Sequence, residues 1–126
     1  MSILTRVGVF LRKLRLECDE RQIDMAAKLG VTAVYLAYIE KGQRKLPESW
    51  FEKIRDAYKL SPEQQKEFRQ AMLESSDVLE LNVSDASPPK RKLAVKFVSE
   101  FAELDEEKVR GLQEILDRPS LNKENG

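Results

Sequence analysis

Residues 21–42 read RQIDMAAKLGVTAVYLAYIEKG, and the period of their apolar side chains decides the fold. Met25, Ala26 and Leu29 share one face of a first short helix, and Leu36 and Ile39 mark the inward face of a second. Ala33, Val34, Ala37 and Tyr38 point elsewhere on that second helix. Between the two, Gly30 supplies the positive φ that ends a helix tightly, and Val31 packs into the corner. Thr32 suits an N-cap, its hydroxyl accepting from a free backbone N–H of the next turn. Two helices this short, joined this tightly, hold an outer face clear of the core.

That is the geometry of a helix-turn-helix unit, whose second helix can enter a DNA major groove roughly 12 Å wide. The flanking sequence is helical too. Thr5 caps a helix reaching about Cys18, with Val7, Phe10, Leu11, Leu14 and Cys18 as its buried stripe. The segment CDERQ has no apolar anchor and connects that helix to the next. After Gly42, QRKLPE is a polar, basic loop whose proline suits a helix's first turn. A fourth helix carries Trp50, Phe51, Ile54, Ala57 and Tyr58, closed by Leu60. Ser61-Pro62-Glu63-Gln64 then combines a capping-box pattern with proline at the first helical position. Phe68, Ala71 and Met72 continue that fifth helix, which fades near Ser75-Ser76. Residues 1–76 therefore predict a five-helix, all-α domain.

Composition narrows the function. With 126 residues the chain holds one domain and an appendage, and 35% of it is charged. The chain has no histidine and a single cysteine, which rules out an internal disulfide and leaves no set for a zinc or thiol–imidazole site. Cys18 is expected as a buried structural thiol. The five glycines are isolated, so there is no Gly-rich phosphate loop, and the carboxylates are scattered as on solvated helix faces. No catalytic residue, metal or cofactor is expected, and an enzyme is set aside. No apolar run approaches the roughly 20 residues that span a bilayer. The N-terminal MSILTRVGVFLRKLRLE puts charges where an export signal needs an apolar stretch, so a cytoplasmic location is expected. Net charge is zero, yet residues 1–46 carry nine Lys/Arg against five Asp/Glu, and residues 47–86 reverse those numbers. A basic N-terminal unit stands beside an acidic segment.

Residues 78–83, VLELNV, alternate rather than follow a helical period, with Leu79, Leu81 and Val83 on one face. As a short strand the segment needs a partner outside the chain, a second copy or another protein; otherwise it is an extended linker along the domain. SDASPPKRK closes a Pro-rich hinge over 77–92. Leu93, Ala94, Phe97, Val98 and Phe101 then mark one amphipathic helix. Leu104-Asp105 opens another, with Val109, Leu112, Ile115 and Leu116 on its apolar side. Neither is stable alone in water, so 93–118 is expected as a helical hairpin packed on the first domain, on a second copy or on a partner protein, with dimerisation or partner binding as its task and 119–126 a disordered tail. Leu79, Leu81, Val83, Phe97, Phe101, Leu112 and Ile115 are the candidate contacts.

From Arg12 to Tyr58 the sequence resembles the Xre/Cro/cI family of bacterial and phage regulators. The likeness rests on LRKLR at 11–15, Gln22, MAAKLGV at 25–31 and YLAYIEKGQRKLP at 35–47. It implies a lambda-repressor-like DNA-binding domain, acting as a dimer on a two-fold symmetric operator of double-stranded DNA, usually as a repressor. By position, Gln22 matches a residue that contacts a backbone phosphate. Lys41, Gln43, Arg44 and Lys45 match the loop that follows the backbone. Thr32, Ala33, Val34, Tyr35, Ala37 and Tyr38 match the recognition-helix positions nearest the groove. Arg15 and Glu40 match an internal ion pair tying the first helix to the third.

One departure matters. Where family members often read bases with amides or guanidinium groups, this chain has Ala33, Val34, Ala37 and Tyr38. Small apolar groups can touch thymine methyls, and a tyrosine hydroxyl can donate to an acceptor. Specificity would then lean on DNA shape and backbone contacts, or the apolar face meets protein instead. Tyr35 and Tyr38 fit either base contact or a place flat on the domain surface. The alternative function is an antitoxin that neutralises a toxin protein and autorepresses its operon.

Overall fold

The computed structural model describes residues 4–120. Its helices are α1 (Arg6–Glu17), α2 (Gln22–Leu29), α3 (Ala33–Glu40), α4 (Trp50–Tyr58), α5 (Pro62–Glu74), α6 (Pro88–Glu100) and α7 (Glu106–Asp117). A 3-10 turn, Phe101–Glu103, follows α6. The chain divides into two units, residues 1–79 and 80–126.

In the first unit, the expected caps form. Thr5 Oγ1 accepts from Gly8 N–H at 3.1 Å, and Ser61 Oγ from Gln64 N–H at 3.1 Å, with Gln64 Oε1 returning the bond to Ser61 N–H at 2.9 Å. Ser75, at the end of α5, accepts from Val7 N–H at 3.2 Å, so a second free donor at the start of α1 is satisfied across the fold. The apolar faces converge around Leu11, Met25, Leu29, Leu36, Ile54 and Phe68, all fully enclosed. Phe68 stacks between two rings, Phe10 at 4.8 Å and Phe51 at 5.4 Å between centroids. α1 lies against α2, α3 and α5, while α4 closes against α2 and α5.

Glycine decides one helix crossing. A Cβ on Gly8 would stand 2.2 Å from the Glu40 carbonyl oxygen, so α1 meets the end of α3 only because that position is bare. The same carbonyl accepts from Thr5 N–H at 2.9 Å and Thr5 Oγ1 at 3.0 Å.

Three expectations for this unit need correction. Cys18 is exposed, because α1 ends at Glu17 and the chain turns away through Asp19 at φ 54°. Ala57 is exposed as well. α4 begins at Trp50, not at Pro47, whose carbonyl instead accepts from Trp50 N–H at 3.0 Å.

The short strand over 78–83 is overturned: the described residues contain no strand, and this segment is irregular. Side chains take up its backbone groups locally. Ser76 Oγ bonds both Val78 O, at 2.6 Å, and Val78 N, at 3.3 Å; Asn82 Oδ1 accepts from Ser84 N–H at 2.9 Å. Such bonds compete with a ladder, and alternation alone supplies no strand to pair with. The hinge reading of 84–92 also shortens. Ser87 caps α6, accepting from Lys90 N–H at 3.3 Å, and Pro88 and Pro89 occupy its first positions. The 93–118 hairpin is not packed either, since α6 and α7 do not touch among the described residues. Of the expected tail 119–126, residues 121–126 lie outside the described residues.

Candidate nucleic-acid interface

The corner between α2 and α3 follows from three residues. Gly30 has φ 72°, and Val31 N–H donates to Ala26 O at 3.0 Å as its half-buried side chain packs on the core. Thr32 Oγ1 accepts from Tyr35 N–H at 3.0 Å and starts α3. With Leu36 and Ile39 inward, Val34 is 61% and Tyr38 42% exposed, one helical turn apart on the outer face. Thr32 is exposed beside them and Ala37 half-buried. The expected base-reading set therefore splits. Ala33 packs on the core, and the half-buried Tyr35 also packs there and meets Trp50 edge-on at 6.0 Å.

The end of α3 folds the basic loop back onto it. Gly42 turns the chain at φ 76°, and Gln43 N–H at 2.9 Å and Arg44 N–H at 3.3 Å both donate to Tyr38 O. Lys41, Gln43, Arg44 and Lys45 are all exposed. Among the described residues, Lys41, Arg44 and Lys45 have no carboxylate within ion-pair distance; the same holds for Arg12, Lys53, Lys59, Lys66 and Arg69, and what sets the three apart is their place together in the loop that follows α3. Cations left uncompensated on one edge are what a phosphate backbone requires.

Behind this surface lies a buried polar cluster. Arg15 forks onto the Glu40 carboxylate, with Nη1 on Oε2 and Nη2 on Oε1 at 3.3 Å, and Nη1 also reaches Met25 Sδ at 3.5 Å. Gln22 Nε2 donates to Glu40 Oε1 at 3.0 Å. Arg15 is 7% and Glu40 2% exposed, and among the described residues no buried side-chain polar atom lacks a partner. The cluster thus holds Gln22, at the start of α2, by one N–H. The side chain is half-buried, and among the described residues its second N–H has no protein partner. Asp24 neutralises the cation next to it, binding Arg21 through Nε at 3.3 Å and accepting from its backbone N–H at 2.8 Å. Those contacts raise the Arg21 pKa and lower that of Asp24.

A second brace joins Glu20, Lys28 and Tyr58. Glu20 accepts from Tyr58 Oη at 2.6 Å and from Lys28, whose ammonium lies 4.6 Å above the Tyr58 ring. Burial raises the Glu20 carboxyl, but the bonds from Lys28 and Tyr58 outweigh it and leave the group below its ordinary value. Burial, then the Glu20 bond, raises the Tyr58 phenol. Lys53 Nζ also donates to Leu29 O at 3.1 Å, capping the end of α2 just before the corner. No sequence spacing joins these residues, because they meet only once α4 crosses α2. Of the candidate partner contacts, Leu79, Leu81, Phe97, Phe101, Leu112 and Ile115 are exposed and Val83 is half-buried.

Among the described residues no group of three or more His, Cys, Asp or Glu is placed to hold a metal. No described helix is long and apolar enough to cross a membrane. No curated protein and no solved structure matches the chain significantly. A family model described as "Helix-turn-helix domain" matches residues 6–68, half of the chain, from the first residue of α1 to the buried Phe68 of α5. With the capped corner and the exposed α3 beside unpaired cations, this makes the chain a member of the helix-turn-helix domain family of DNA-binding regulators.

Proposed function

We propose that the protein is a dimeric, sequence-specific regulator of Xre type, probing a two-fold symmetric operator with α3 and acting as a cytoplasmic repressor without catalytic activity. The observation that carries this is the juxtaposition of an exposed α3 face with Lys41, Arg44 and Lys45, none of them neutralised within the described chain. Phosphate contacts from these side chains and from Gln22 fix the register, and Thr32, Val34, Ala37 and Tyr38 face the groove. Because Val34 and Ala37 offer only methyl groups, direct reading rests on thymine methyls and on the Thr32 and Tyr38 hydroxyls. Shape and deformability of the duplex supply the rest.

Selection of bound sequences from random duplex DNA tests this reading, with Arg44→Ala and Gln22→Ala as comparisons. A two-fold symmetric site is expected, with affinity falling as log[salt] rises by about 0.9 per phosphate neutralised. Arg44→Ala should flatten that slope by about one contact without altering the selected sequence. No enrichment, or a salt-independent affinity, would remove the regulator reading. A second reading, as the antitoxin of a toxin–antitoxin pair, draws on the exposed apolar residues of 80–120. It would be favoured by a toxin encoded in the same operon that co-purifies through this segment.

A further inference from the structure

The cations at the start of α6 have no counterpart among the described residues. α6 carries Lys90, Arg91, Lys92 and Lys96 against the single acid Glu100. α1 has the same balance, but there Arg6, Lys13 and Arg15 each pair with a carboxylate of α5 or α3. In α6 only Lys96 is paired, with Glu100 at 3.7 Å. Lys90, Arg91 and Lys92 are exposed, and no described carboxylate, the nearby Asp85 included, lies within ion-pair distance of them. Arg91 gives one N–H to Val83 O at 3.3 Å and keeps the rest of its fork free among the described residues.

This cluster is unfavourable in the chain alone. Three adjacent like charges repel one another, and they follow Ser87-Pro88-Pro89 directly, where the dipole of α6 is positive and its first turn holds no acid. α2, α4, α5 and α7 each place an acid in that turn. A polyanion laid along the start of α6 relieves both repulsions. Helical spacing says which side it meets: Arg91, Lys92 and Lys96 all stand roughly 100° or more around the helix from Phe97, whereas Lys90 shares the side of Phe97. Arg91 and Lys92 are therefore the pair that one phosphate strand engages together, with Lys90 adding charge nearby.

We propose that Arg91 and Lys92, assisted by Lys90, bind phosphates of the same duplex that α3 probes, as a second and sequence-independent anchor. The inference rests on the DNA-binding function proposed above and adds a site to it. Because both contacts belong to one chain, the second forms at the effective concentration set by the linkage, and it has no base to read.

Titration of the full chain with its selected duplex and with a random duplex, over a range of salt, tests the anchor. The triple change Lys90→Gln, Arg91→Gln, Lys92→Gln keeps good helix formers and removes charges that oppose the dipole, so α6 is not weakened by it. Fluorescence of Trp50, buried in the first unit, should be unchanged. The log–log salt slope should fall by about two phosphate contacts per chain, about 0.9 each, and affinity at low salt by about tenfold or more. Both duplexes should lose the same factor, with the selected sequence unaltered. A wild-type slope in the triple variant, where Arg44→Ala does flatten it, would overturn the anchor and leave the regulator reading in place. So would binding to vesicles of anionic phospholipid that the triple change abolishes while the slope on DNA stays the same, since the cluster would then serve a membrane surface. A wild type that selects no duplex would remove both readings.

Discussion

Residues 4–79 and 80–120 are written with the same local signals and reach opposite ends. Thr5 and Ser61 start helices in the first; Ser87 and Asp105 start them in the second, with cap bonds of the same kind. Apolar residues recur at helical spacing in both. Yet the first encloses Leu11, Leu36 and Phe68 completely, and the second leaves Leu93, Val98 and Leu116 in water. The comparison separates what specifies a helix from what stabilises a domain. A cap contributes about 1 kcal/mol, and enclosing a large apolar side chain about 1.5–3 kcal/mol. Only where several helix faces converge does the larger effect apply.

The largest test strikes the centre of the first unit. Glu40→Ala would leave the Arg15 guanidinium, 7% exposed, without its carboxylate and release Gln22. A loss of about 3–5 kcal/mol in urea unfolding, followed by Trp50 emission, is expected. A loss below about 1 kcal/mol would mean that Arg15 reaches water when freed, and that the pair is not what holds α1 to α3. Gly8→Ala comes next. The added methyl cannot coexist with the Glu40 carbonyl, which is backbone and held by Thr5, so about 1–3 kcal/mol is expected from the forced separation of α1 and α3.

Acid should reveal the Glu20 brace. Because folding lowers this carboxyl's pKa, its contribution is present above the ordinary glutamate value, near 4.3 on average, and is lost as pH falls through the lowered folded value. Tyr58→Phe removes one of the bonds responsible, and should cost about 1–2 kcal/mol at pH 7 and make the stability of the first unit less dependent on acid. An unchanged acid limb would show that Lys28 alone sets the shift.

Much of this contrast was legible in the sequence, and the boundary of legibility is physical. Gly30, Thr32, Thr5 and Ser61 act over three or four residues, so their roles follow from spacing. Likewise the Arg15–Glu40 pair followed from the resemblance, not from any local pattern. Gly8 carried no warning, because its constraint is the backbone of a residue 32 positions away. Glu20, Lys28 and Tyr58 are ordinary surface residue types until α4 brings them together. Spacing alone turns Ala33 outward and leaves Tyr35 open between groove and surface, whereas in the fold Ala33 packs on the core and Tyr35 meets Trp50. In the second part of the chain, Leu79, Leu81 and Val83 alternated as a strand does, but alternation describes a strand's faces and not its edges. Ser87-Pro88 repeats the signal of Ser61-Pro62 and starts a helix five residues before Leu93.

That repeated signal allows the smallest and most discriminating test of the comparison. Ser61→Ala and Ser87→Ala delete the same capping hydroxyl, each followed by proline at the first helical position. In the first unit α5 contributes Phe68 to the core, so loss of its cap is felt by the whole fold, and about 1 kcal/mol should disappear from the urea transition. In the second unit α6 has no buried residue, and Ser87→Ala should leave that transition within about 0.5 kcal/mol of wild type. Its effect should appear instead in hydrogen exchange, confined to residues 88–100. If both variants shift the Trp50 transition equally, α6 is thermodynamically part of the domain, and the division of the chain into a self-sufficient unit and a dependent one fails.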